Sequence, residues 1–285
     1  MTDSRRYREI GVTPLSAALG AQIDGVDLAQ PLSDSVMAEL KDAFAKYSVI
    51  FFRDQKLSPQ QHIDLAEHWG EININRFFKP LDGYPQIAEV IKAPDQKENI
   101  GGTWHTDHSY DQIPAMGSML YARQVPPVGG DTLFSSMTLA FEALSDGMKK
   151  TLLGLNAWHS SRHAFGYGVS DSEHYEDGRL ANPELAVQDA LHPVIITHPL
   201  SGKKALYVNA DFTVRFDGWT IEESQPLLDF LYAHGAREEF TCRFKWQQGS
   251  IALWDNRATW HNAMNDYHGH RRVMHRITLE GVALQ

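Results

Sequence analysis

The chain has 285 residues, 42% of them hydrophobic and 22% charged, which is the composition of a soluble globular protein with a sizeable core. A formal net charge of −10 and the lack of any Lys/Arg-rich run exclude nucleic acid as an expected partner. Cys242 is the only cysteine, which excludes a disulfide framework and a thiolate metal site, and no apolar run approaches membrane-spanning length. Met1 to Gly20 carries Arg5, Arg6 and Arg8 but no apolar stretch of the signal-peptide kind, so the cytoplasm is the expected location.

Residues 7–12 and 21–28 read as short strands. Ser33 is placed to cap a helix whose Val36, Met37, Leu40, Phe44 and Tyr47 share one face. Val49-Ile50-Phe51-Phe52 is a continuous apolar run of strand length, the pattern of a strand buried on both faces. Ser58-Pro59-Gln60-Gln61 opens a second helix with a capping box and proline at its first position, closing by Gly70. From 71 to 102 no periodicity stands out, so a long insertion over the site is expected. Met119 to Ala122 reads as a strand, Gly129-Gly130 as a turn into another, and 138–153 as helical. Residues 160–190, punctuated by Gly166, Gly168, Gly178 and Pro183, read as a second long insertion. Val194–Thr197 and Ala205–Val208 form a hairpin through Ser201-Gly202. Thr220 and Glu223 make a capping box for a helix running to His234, with Pro226 in position to delay or bend it. Strands at 240–246, 250–254 and 272–280 close the chain. With no internal repeat and no low-complexity linker, residues 1–285 read as one domain: mainly β with flanking helices (α+β), a sandwich or jelly roll with the helices against one side.

The chemistry concentrates in Thr103-Trp104-His105-Thr106-Asp107. On an extended segment, side chains two apart share a face, so His105 and Asp107 can act together. With His261 from a distant strand they form a 2-His-1-carboxylate set, which covers one face of an octahedral metal and leaves three positions open. His-x-Asp alone is common by chance among fourteen histidines, and the residues that follow His261 are what give it weight. Arg272 and Arg276 share a face of the closing strand with Met274. Two inward guanidinium groups are costly unless each meets an anion, either a carboxylate of the protein or an acidic small molecule bound through paired hydrogen bonds. His108, adjoining Asp107, would face away on a strand and is read as a non-ligand; His159, His163, His198 and His275 read as packed or surface histidines.

Trp104-His105-Thr106-Asp107, Gly129-Gly130-Asp131-Thr132, Trp254-Asp255-Asn256-Arg257 and the series His261, Arg272, Arg276 resemble the taurine dioxygenase (TauD/TfdA) family. Leu19 to Asp27, His192-Pro193, Thr197-His198-Pro199 and Tyr207-Val208-Asn209 extend the likeness over nearly the whole chain. The resemblance implies a double-stranded β-helix (jelly-roll, cupin-like) core and an oxygenase dependent on Fe(II), 2-oxoglutarate and O2, commonly a homo-oligomer (dimer or tetramer). It implies His105, Asp107 and His261 as iron ligands, Arg272 with Thr132 on the distal carboxylate of 2-oxoglutarate, and Arg276 on the acidic group of the substrate. Phe165 and Phe212 match aromatic walls of the substrate pocket.

Two positions depart from the taurine enzyme's pattern. Asn75 stands where that pattern has a histidine touching the sulfonate, and Gly101-Gly102 where it has Asp-Asn. The expected substrate is therefore not taurine but a small anion with a larger or more apolar body: a sulfonate, a sulfate ester, or a carboxylate such as a phenoxyalkanoate. Two other classes remain open from the residues alone. One is a zinc-dependent hydrolase using the same His/Asp/His site, which has no use for Arg272 or Thr132. The other is a non-catalytic jelly-roll binding protein.

Overall fold

The structure, a computed structural model, describes residues 6–169 and 171–284; Arg5 of the N-terminal basic stretch and Ser170 of the 160–190 segment lie outside the described residues. Its backbone is a nine-stranded major sheet and a three-stranded minor sheet facing it, counted among the described residues. The major sheet runs Gly11–Pro14, Ala21–Asp24, Val49–Phe52, Ile251–Asp255, Gly117–Gln124, Arg272–Leu279, Tyr84–Lys92, Pro80–Leu81, with Ile72–Asn73 also paired to Arg272–Leu279. The minor sheet runs Thr241–Phe244, Thr132–Ser136, Thr259–Ala263.

Alternation of side chains explains the layering. Val49 and Phe51 point into the space between the sheets, where they pack with Phe134, Phe244, Trp254 and Met274. Ile50 and Phe52 point the other way, against Leu40 and Phe44 of the helix Asp34–Tyr47 and Ile63 of the helix Pro59–Glu67. A strand buried on both faces is why this run contains no polar residue. A separate cluster packs Met137 and Ala140 of the helix Met137–Glu142, and Leu228 and Leu231 of the helix Ile221–Gly235, against Trp260 and the Ile195–Thr197/Lys204–Leu206 hairpin. Helices therefore cover both sides of the β-core, not one, because both sheets keep an apolar outer face. The arrangement is a jelly roll.

Capping placed the helices well. Ser33 accepts from the Val36 amide, and the capping boxes at Ser58/Gln61 and Thr220/Glu223 are both formed. Pro226 lies inside its helix without delaying the start at Ile221. The helical stretch 138–153 is two helices, because Ser145 caps a new one at Asp146–Leu152. The second N-terminal strand stops at Asp24, before Gly25 at φ 84°. The largest correction concerns 71–102, expected as a long insertion. It contains Tyr84–Lys92, paired along Arg272–Leu279 from Lys92↔Arg272 to Ala88↔Arg276. What remains irregular there is a shorter connection leading to His105. The 160–190 segment holds short helices at Arg162–Phe165 and Glu173–Glu176. Among the described residues no helix is long and apolar enough to cross a membrane.

Candidate active site

Between the two sheets lies a cavity of about 390 Å³. The minor sheet delivers His261 and Thr132 to it: His261 sits opposite Phe134, and Ala263 opposite Thr132, so both polar side chains face inward. The major sheet delivers Arg272 and Arg276, with Leu120 as the inward neighbour of Arg276. Asn75, Phe165 and Phe212 complete the wall.

His105 and Asp107 reach the cavity from a stretch that is not a continuous strand. The His105 amide donates to the His261 carbonyl at 3.1 Å and the His261 amide returns to the His105 carbonyl at 2.8 Å, an isolated bridge. Thr106 then donates its hydroxyl to the Asn256 carbonyl, Asp107 opens a turn, and His108 takes the left-handed region at φ 58°. His108 stands outside the ligand cluster, in line with its reading as a non-ligand, but this turn and not strand alternation places it, and it still lines the cavity. Gly101, at φ 80°, lies so close to His105 that a Cβ would stand 3.2 Å from Cε1. A side chain there would press on the imidazole, which accounts physically for the glycine.

Ligand atoms of His105, Asp107 and His261 all lie within 4.8 Å of one another, and all three residues are buried. Asp107 Oδ1 is 3.8 Å from His105 Nε2, and Oδ2 is 3.9 Å from His261 Nε2. His105 Nδ1 is 2.8 Å from the Thr103 carbonyl, so that nitrogen carries the proton and leaves Nε2 as the donor to a metal. Ser118 donates to Asp107 Oδ2 at 2.7 Å and Arg276 Nη1 lies 3.3 Å from Oδ1. Burial alone would raise the Asp107 carboxyl, but the Arg276 guanidinium, then His261 and His105, hold it well below the usual carboxylate range. Burial, then His105, pushes His261 down to about 3. An ionised carboxylate beside a neutral imidazole is the donor chemistry a divalent metal requires.

The two arginines differ. Arg276 already meets a protein carboxylate, stacks on Phe78 at 4.4 Å, and keeps a buried Nε without a partner. Arg272 is 5% exposed, its Nε and Nη2 are buried without hydrogen bonds, and no ion pair reaches it among the described residues. Burial pulls its guanidinium below the ordinary value, with Tyr267 and Asp131 opposing in part. A buried, unpaired guanidinium is a large cost that an incoming carboxylate removes. Beside it, Trp246 Nε1 donates to Thr132 Oγ1 at 2.9 Å, which leaves the Thr132 proton free to donate into the cavity. Ser118 and Trp246 had no signal in the sequence: both touch site residues only through the fold.

A jelly roll holding two histidines and a carboxylate beside an unpaired buried arginine defines a class of metal-dependent enzymes that take an acidic cosubstrate. The chain belongs to the taurine catabolism dioxygenase TauD, TfdA family, whose model matches residues 11–278. It is a 2-oxoglutarate-dependent dioxygenase, and the hydrolase and non-catalytic readings fall away. It is 31% identical to an alpha-ketoglutarate-dependent sulfate ester dioxygenase of Pseudomonas putida, over 96% of this chain and 90% of that one. It is 31% identical to the alpha-ketoglutarate-dependent 2,4-dichlorophenoxyacetate dioxygenase of Cupriavidus pinatubonensis, over 93% and 96%. A solved taurine dioxygenase from Burkholderia xenovorans superposes with a TM-score of 0.82 at 34% identity, covering 97% of this chain and 91% of that one.

Proposed function

We propose that His105, Asp107 and His261 hold Fe(II), that Arg272 and Thr132 hold the distal carboxylate of 2-oxoglutarate, and that the substrate is a small organic anion. The observation that carries this is Arg272: a buried guanidinium whose Nε and Nη2 have no hydrogen-bond partner among the described residues, in the same cavity as a neutral-histidine and carboxylate cluster. When bound, iron with 2-oxoglutarate and O2 supplies the oxidising chemistry that yields succinate and CO2 and hydroxylates a substrate C–H bond. The protein's own residues bind and orient. Asp107 brings one negative charge to the metal face, kept ionised by Arg276 and aimed by Ser118. Thr132, with its hydroxyl oxygen engaged by Trp246, turns its proton toward the cosubstrate.

For the substrate, Arg276 offers an anion contact at the side of the metal cluster. Phe165 stacks on Phe77 with centroids 4.4 Å apart, and Phe212 meets Tyr110 at 4.9 Å. With Phe78 and Leu180 these rings form an apolar cluster beside the cavity. That pairing suits an alkyl or aryl sulfate ester, a sulfonate or a phenoxyalkanoate, and the names of the Pseudomonas and Cupriavidus relatives fall in the same chemical range. A cytoplasmic, homo-oligomeric enzyme is part of the same reading.

The test is anaerobic addition of Fe(II) and 2-oxoglutarate, followed through the weak visible metal-to-ligand charge-transfer band in wild type and Arg272→Ala. A band in wild type that vanishes or needs far more cosubstrate in the variant supports the assignment. No band in metal-loaded wild type overturns it. Succinate release with hexyl sulfate, hexanesulfonate and phenoxyacetate then ranks the substrates.

A further inference from the structure

His108 follows Asp107 directly and has no part in the site as described so far. It is 2% exposed, lines the cavity, and is held at φ 58° in a turn closed by the Asp111 amide donating to its carbonyl at 3.1 Å. A left-handed conformation at a residue with a full side chain costs roughly 1–2 kcal/mol and persists only where the surroundings impose it.

The surroundings here form a chain of partners. Arg76 Nη2 lies 2.6 Å from each oxygen of Asp111. Asp111 Oδ2 lies 3.1 Å from His108 Nδ1. Burial would raise the Asp111 carboxyl, but the hydrogen bond from His108 and then Arg76 hold it below its ordinary value. An ionised carboxylate only accepts, so Nδ1 of His108 must be the protonated, donating nitrogen. The opposite nitrogen, Nε2, faces Asn75 Nδ2 at 3.5 Å.

Asn75 is itself fixed. Its Oδ1 accepts from the Phe77 and Phe78 amides, both at 2.9 Å, which puts the Nδ2 end of the amide toward His108 on the cavity wall and leaves the ring to hold that end. One N–H is turned toward His108. No hydrogen bond within the protein is found for the other among the described residues.

We propose that Arg76, Asp111 and His108 form a positioning relay that aims the free N–H of Asn75 at the acidic group of the substrate. His108 acts through Asn75 and not on the reacting atoms. The relay fixes the imidazole with its Nε2 lone pair toward the amide, and the amide then presents a donor where an anion can take it. The inference rests on the anionic-substrate reading above, and it identifies residues that set affinity for the substrate and not for the cosubstrate.

Two substitutions separate this role from simple packing. His108→Asn keeps a polar atom near the Nδ1 position, tolerates the left-handed backbone, and falls short of Asn75. His108→Gln carries its amide out to about the Nε2 position and gives up the contact with Asp111. Steady-state succinate release is measured with hexyl sulfate, hexanesulfonate and phenoxyacetate, alongside the 2-oxoglutarate Kd from the charge-transfer band. The relay predicts that His108→Asn raises KM for the best probe about tenfold, the scale of one lost hydrogen bond, with kcat within threefold. It predicts that His108→Gln, with an acceptor for Asn75 but no anchor on Asp111, falls between wild type and His108→Asn in KM, and that neither variant moves the 2-oxoglutarate Kd by more than about twofold. A wild-type KM in His108→Asn overturns the relay, as does a His108→Gln enzyme more impaired than His108→Asn, or a parallel loss of cosubstrate affinity. A wild type that turns over none of the three probes overturns the anionic-substrate reading, and the relay with it.

Discussion

Replacing Arg272 with methionine should push the empty protein and the liganded protein in opposite directions. The guanidinium is 5% exposed, has two nitrogens without hydrogen bonds, and has no carboxylate within ion-pair distance among the described residues. Its aliphatic stem and the Tyr267 ring both lie close beside Gly130, and its head lies 5.8 Å from the centre of the Trp246 ring. Methionine preserves most of that packing and removes the stranded charge, so the ligand-free protein should be as stable as wild type or up to about 1 kcal/mol more stable, a rise of roughly 2–4 °C in Tm. If Arg272 holds the distal carboxylate of 2-oxoglutarate as proposed, the same change in the liganded site should leave that carboxylate without its cation. Breaking a buried charge pair from one side costs about 3 kcal/mol or more, which is roughly 150-fold in Kd. Wild type with metal and 2-oxoglutarate at a hundred times Kd should gain about 2.7 kcal/mol, and the variant at the same concentration should gain only a few tenths. Thermal melts with and without ligand, with calorimetric titration of 2-oxoglutarate, read both effects. If Arg272→Met lowers the ligand-free Tm by several degrees while the ligand-induced shift stays at the wild-type value, the reasoning is refuted: Arg272 would then be a packing residue and not an anion site.

Ser118→Ala removes the 2.7 Å hydrogen bond to Asp107 Oδ2 while leaving Arg276 on Oδ1. It should lower metal affinity about tenfold in a competitive Fe(II) or Mn(II) titration, and an unchanged affinity would show that Arg276 alone orients the carboxylate. His62 is 1% exposed with neither ring nitrogen hydrogen-bonded among the described residues, and burial, followed by the neighbouring His275 and Arg123, pushes it down to about 3. Its neutral form is the folded form, so stability is complete above the unfolded value of about 6.5 and falls as pH drops toward 3, with about 2 kcal/mol lost by pH 5. His62→Phe should remove that share of the acid sensitivity in urea titrations at pH 7 and pH 5. Identical pH slopes for the two proteins would show that His62 does not carry it.

Local rules read most of the helices and several strands correctly, since their signals are complete within a few residues. Ser33, Ser58 and Thr220 cap where their side chains can meet an amide three residues on, and Val49–Phe52 is apolar throughout because both its faces are covered. Tyr84–Lys92 shows no strand period in the sequence because its burial alternates irregularly, Ile87 and Ala88 being covered and their neighbours half-exposed. Its strand character comes from pairing with Arg272–Leu279, almost two hundred residues away. The strands Asn156–Ser160 and Thr213–Phe216 are short and of mixed polarity, and they too owe their strand character to pairing and not to a local pattern.

At the site, the sequence by itself determined which residue types were present, in an order characteristic of one family: His105, Asp107, Thr132, His261, Arg272 and Arg276. Residue type sets the possible chemistry, and order along the chain survives folding. Only the tertiary structure decided how those groups stand to one another. It split the two arginines, giving Arg276 the Asp107 carboxylate and leaving Arg272 without an ion pair among the described residues. It placed Ser118 and Trp246 behind Asp107 and Thr132, and turned His108 toward Asn75 through a left-handed backbone. Hydrogen bonds and charge pairs act over a few ångströms, and which atoms come that close depends on strand register and on turns formed by residues far apart in the chain.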